Sequence, residues 1–127
     1  MKILRAATLI VSVLMALGEI GRWWGDPRFV PLAFDELTVA AAMAIAAILA
    51  PKAGAVPLAA AWALFCGLNL GLLVTSLDHL FFGPPKDSAV FYSVVLAAML
   101  AAGAWATFSA LRTSTFTKSG TRSGRGD

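Results

Sequence analysis

"VPLAAAWALFCGLNLGLLVTSLDHLFF", Val56 to Phe82, runs for 27 residues with a single carboxylate, Asp78, near its far end. About 20 apolar residues span the hydrocarbon of a bilayer, so this stretch is long enough to cross one. A soluble helix of this length would carry a polar face, and here polar residues are too few to make one. The segment reads as a transmembrane helix.

Three more apolar segments flank it, at about 3–24, 34–50 and 89–111. The links between the four are "GDPRFVP", "PKAGA" and "GPPKDS", rich in the Pro, Gly and Asp that end helices. The whole chain of 127 residues is 59% hydrophobic and 13% charged, against about 25% charged in ordinary soluble domains. Its mean hydropathy is +0.80. Lipid offers no water to unpaired backbone groups, which makes helices the default, and no ten-residue alternation suggests a barrel. The expected fold is an all-α integral membrane four-helix bundle over residues 1–112. The segment 113–127, "TSTFTKSGTRSGRGD", is basic and Ser/Thr/Gly-rich, and is expected to be a disordered cytoplasmic tail.

The start, "MKILRAATLIVSVLMALG", has the basic beginning, apolar stretch and small residues of a secretory signal. The apolar run continues past Gly18 into Ile20 and the Trp pair, which favours a retained helix. If four helices alternate, Lys2, Arg5, Lys52, Arg112, Lys118, Arg122 and Arg125 share one side of the membrane. The other side holds Arg22, Arg28 and Lys86. Cytoplasmic loops carry the Lys/Arg excess, so both termini are expected in the cytoplasm, and the natural setting is a bacterial inner membrane.

Six of the seven acids then lie on the outer, non-cytoplasmic side. Many of them crowd into "GEIGRWWGDPRFVPLAFDEL", Gly18–Leu37, the outer hairpin between helices 1 and 2. Helical spacing places Thr8, Ser12, Glu19 and Arg22 on one face of helix 1, and Asp35, Thr38, Ala42 and Ala46 on one face of helix 2. In helix 3, Ala60, Ala63, Gly67, Gly71 and Asp78 share a stripe that contains a GxxxG, with Asn69 and Ser76 on the opposite face. One face is expected to serve the bundle and the other a partner or a second copy, and Asp78 is expected to lie on the packing face rather than toward lipid. Ala98, Ala102, Gly103 and Ala106 are further close-packing positions in helix 4.

These stripes predict a polar cluster of Glu19, Arg22, Asp35, Asp78 and His79 just below the outer interface. Glu36, about 100° round the helix from Asp35, is left open between this group and water. Asp35, Glu36 and Asp87 also suit simple helix-capping roles. Glu19 and Asp78 are harder to explain in that way, because an ionisable residue within a membrane helix is a functional hypothesis by default. Cys66 is alone, which excludes an internal disulfide, and a single histidine excludes a bis-His haem within one subunit. No residue pattern names a cofactor. The net charge of +3 is spread in a way that argues against a nucleic-acid partner.

Three functions from different classes remain. The first is an accessory or oligomer-forming component of a membrane complex, whose partners are the bilayer and either further copies of the chain or larger subunits. The second is a dimeric proton- or cation-coupled transporter using Glu19 and Asp78. Four helices with one acid on helix 1 is a layout similar to that of the small multidrug-resistance exporters. The coupling acid of that family lies deep in helix 1, however, whereas Glu19 lies near its outer end. The third is an enzyme acting on lipid at the outer surface, with Arg22 holding a phosphate. A metal-binding form of it would use Glu19, Asp35, Asp78 and His79, an oxygen-rich set suited to Mn, Fe or Zn.

Overall fold

The computed structural model describes residues 1–122. It contains four helices, α1 (Lys2–Trp23), α2 (Phe29–Ala53), α3 (Val56–Phe82) and α4 (Ala89–Arg122), and no strand among the described residues. All four contain stretches long and apolar enough to cross a membrane. The protein is an integral membrane protein of all-α, four-helix architecture.

Helix boundaries run beyond the sequence expectation at both ends of α2, which continues past Pro51 to Ala53, and at the end of α4. α2 begins at Phe29 rather than near Phe34, with Pro31 in its first turn. Proline is tolerated there because the first N–H groups of a helix have no intrahelical partner. α4 continues to Arg122, about three turns past its expected end at Leu111 and into the segment expected to be disordered. No glycine or proline interrupts this extension before Gly120. The hydroxyls of Thr113 and Thr115 donate back to the carbonyls of Ser109 and Leu111, each at 3.0 Å, so these polar side chains are satisfied within the helix. Residues 123–127 lie outside the described residues, and with them the rest of the tail expectation.

The strongest packing is between chain neighbours: α3 with α4, α1 with α2, and α2 with α3. The core lies at the end of the bundle that holds the start of α1, the α2–α3 link and the second half of α4. Met43, Ala47, Ala50, Leu58, Trp62 and Ala110 meet there. α1 joins this core in an unusual way. Its buried residues, Thr8, Ser12 and Glu19, are all polar, while Ile10, Val13, Leu14 and Leu17 are exposed to the surroundings. In lipid this is the favourable arrangement, because apolar side chains gain nothing by leaving the hydrocarbon whereas polar ones need partners. Ser12 Oγ donates to the carbonyl of Ala40 at 2.7 Å, and Trp62 Nε1 donates to Thr8 Oγ1 at 2.9 Å.

A third bond repairs a defect that the sequence of α2 creates. Pro51 lies inside the helix and has no N–H, so the carbonyl of Ala47, four residues earlier, lacks its helical donor. Arg5 of α1 supplies one, with Nε 2.7 Å from that oxygen. Arg5 is therefore a structural residue as well as one of the basic residues that suggest orientation.

The outward-looking glycines and the packing glycine are different residues. A Cβ built on Gly67 or Gly71 meets nothing within 4 Å. One built on Gly103 would stand 2.7 Å from Cys66 Sγ and 3.0 Å from Phe65 Cδ1. Gly103 is what lets α3 and α4 approach. The GxxxG of α3 faces away from the bundle, and the Asn69/Ser76 face is the internal one: Asn69 is buried, and Ser76 Oγ lies 2.9 Å from Ser93 Oγ of α4.

Candidate functional site

The opposite end of the bundle carries the α1–α2 and α3–α4 links, and here the packing loosens. The α1–α2 link is short and tied by Asp26, whose Oδ1 accepts the backbone N–H of Arg28 at 2.8 Å. Its Oδ2 meets Arg28 Nη2 at 3.2 Å. The Arg28 side chain and backbone together hold the Asp26 carboxyl below its ordinary pKa. The pair is open to solvent, so it shapes the turn more than it stabilises the fold.

Glu19 is 9% exposed and is the most enclosed carboxylate at this end. Its Oε2 accepts the indole N–H of Trp23, one turn on, at 3.0 Å. Oε1 faces Arg22 Nη1 at 3.7 Å, an ion-pair distance beyond hydrogen-bond length. The Arg22 guanidinium also stands over the Trp23 ring, 5.1 Å from its centre, and its side chain is 61% exposed. Most of its donors are left available.

The structure regroups the expected cluster. Glu36, rather than Asp35, turns inward and stands next to Glu19, both lining one cavity. Asp35 is exposed, with Oδ1 accepting the N–H of Glu36 at 2.9 Å. It belongs to a separate groove on the outer side of α2 and α3, shared with Thr38, Ala63 and Gly67. Asp78 is exposed on the same outward stripe of α3 as the two glycines, and does not join Glu19. Of the five expected residues, Glu19, Arg22 and His79 lie along the two adjoining cavities together with Glu36, while Asp35 and Asp78 stand outside them. The reason is rotational: Asp35 and Glu36 are one residue apart, and the inward face of α2 passes through the second. Among the described residues no group of three or more His, Cys, Asp and Glu side chains is placed to hold a metal ion, so Glu19, Asp35, Asp78 and His79 do not form the metal set that the sequence allows.

His79 sits partly buried in the last turn of α3. Its Nε2 is enclosed and has no hydrogen-bond partner among the described residues. Gly83 caps the helix, donating its N–H to the His79 carbonyl at 2.8 Å. A Cβ at Gly83 would lie 2.7 Å from His79 Nδ1, so the absence of a side chain there is what allows the imidazole its position.

Two adjoining cavities open between the α1–α2 and α3–α4 hairpins. The deeper, of about 210 Å³, is lined by Glu19, Glu36, Asn69 and Met99 among others. The larger, of about 500 Å³, is lined by Arg22, Glu36, Ser76, His79, Lys86 and Tyr92, with Leu72, Val95 and Met99 on its wall. Glu36, Leu72, Leu96 and Met99 belong to both. The contributions of Lys86 and Met99 are not legible in the sequence. Lys86 reads there as a loop charge and Met99 as one apolar residue among many.

Compared with protein-family models, with curated proteins and with solved structures, the chain matches none of them.

Proposed function

We propose that the protein is a small polytopic subunit that assembles with another membrane component, either a second copy or a larger protein. The observation that carries this reading is the outward GxxxG of α3. Ala60, Ala63, Gly67 and Gly71 are all exposed, and the two glycines meet nothing within the chain. Small residues at helical spacing let a second helix come close enough for dispersion and weak Cα–H contacts to act, which is the main source of helix association in lipid. The groove of about 440 Å³ beside Gly67, between α2 and α3, continues the same surface. In this reading the termini face the cytoplasm of a bacterial cell and the Glu19 end faces outward, in keeping with the basic residues at the terminal end.

A second reading, a dimeric proton- or cation-coupled transporter, is favoured by Glu19 and Glu36 facing one cavity. Glu36 takes the place that helical spacing assigns to Asp78. Native mass spectrometry of the untagged protein, extracted from its own membrane in mild detergent, separates the readings. Assemblies with other polypeptides that fall apart in Gly67→Leu/Gly71→Leu support the subunit role. A homodimer insensitive to those changes favours the transporter, and a monomer under all mild conditions rejects both.

A further inference from the structure

The larger cavity has a division of chemistry that the assembly surface on α3 does not explain, and the two lie on different faces of the bundle. Its rim carries Arg22 from the end of α1 and Lys86 from the α3–α4 link, both exposed. Arg22 keeps most of its donors free, because its approach to Glu19 is at 3.7 Å. His79 adds an enclosed ring nitrogen without a partner among the described residues. Below this rim the wall is apolar, built from Leu72, Val95, Leu96 and Met99. Among the described residues Glu36 is the one acid on the lining and stands next to Glu19, whose Oε1 is 3.7 Å from Arg22, so the site offers a phosphate two cationic donors rather than a net positive charge. The volume of about 500 Å³ lies within the range of about 300–1,000 Å³ usual for small-ligand sites.

We propose that this cavity binds an amphiphile with a phosphate head, the phosphate held by Arg22 and Lys86 and the start of the hydrocarbon tail lying against Leu72, Val95 and Met99. Guanidinium and ammonium groups are the side chains that recognise phosphate best, the first through its planar fork and the second as a point charge. Basic pockets between membrane helices are suited to lipid head groups for the same reason. The weak packing between α1 and α4, which are not among the strongly packed pairs, provides a lateral way in from the bilayer. The source of the phosphate is either a membrane lipid or a small soluble phosphate, and the tail-lined wall favours the lipid.

The test is native mass spectrometry of the full chain in mild detergent with three probes: phosphatidylglycerol, diacylglycerol with the same chains, and glycerol phosphate. The proposal expects one retained phosphatidylglycerol per chain, bound about tenfold or more tighter than diacylglycerol, and no retention of glycerol phosphate. Arg22→Gln/Lys86→Gln should weaken the lipid by about tenfold. Met99→Trp, which fills the tail wall, should also displace it. Equal binding of diacylglycerol, or an unchanged affinity in the double variant, overturns the phosphate site. Retention of glycerol phosphate as strong as that of the lipid overturns the amphiphile and leaves a soluble phosphate as the ligand.

Discussion

At the scale of the residue, the four-helix bundle sorts its glycines by what stands in front of them. Gly103→Ala places a methyl 2.7 Å from Cys66 Sγ and should cost about 1–3 kcal/mol by overpacking. Gly67→Ala meets open space and should leave stability within about 0.5 kcal/mol, or raise it slightly through helix propensity. Thermal unfolding in detergent of the two variants side by side checks the contrast. A destabilised Gly67→Ala would mean that this face is packed, either against a partner helix or because α3 is turned the other way round. The sequence spacing defines the two faces of α3 correctly but cannot say which is inward. In water the apolar face must be the buried one, whereas in lipid the core and the surroundings are equally apolar, and the rule loses its sign. Asp35 and Glu36 pose the same problem one residue apart, which is why spacing places Asp35 in the cluster and leaves Glu36 open, whereas Glu36 is the one that lines the cavity with Glu19.

At the scale of the element, α1 and α2 are joined where α2 is chemically incomplete. The Pro51 gap and the Arg5 donor form a matched pair, and this makes a coupled prediction. Arg5→Leu should destabilise the protein by about 1–3 kcal/mol, because it leaves the Ala47 carbonyl without a donor in a water-poor setting. In a Pro51→Ala background the restored N–H bonds that carbonyl, and the same Arg5→Leu change should cost at least about 1 kcal/mol less. A double-mutant cycle on unfolding free energies measures the difference, and additivity of the two changes would show that Arg5 acts by charge alone. Proline inside an apolar run reads from sequence as a stop, which is why the expected end of α2 falls near Ala50. The partner that lets the helix continue is 42 positions away in the chain, beyond the reach of any local pattern.

At the scale of the whole molecule, the number and placement of the helices are legible from hydropathy alone, because the length of each apolar run is dictated by the bilayer. Four helices bring the start of α1 and the end of α4 to one end, which the proposed reading places in the cytoplasm on its Lys/Arg excess. Reporter fusions at Lys52 should therefore give a cytoplasmic signal and fusions at Pro84 an external one; the reverse pattern would invert the whole arrangement. What hydropathy does not convey is how unevenly the bundle is filled. The large buried side chains gather at the terminal end, and the cavities at the other. For a chain that spans the membrane, the two leaflets then meet different proteins. One surrounds a solid four-helix block whose cross-section is set by its core. The other surrounds two hairpin tips with cavities between them, so the cross-section presented to that leaflet is set by less of the packed core than in the first.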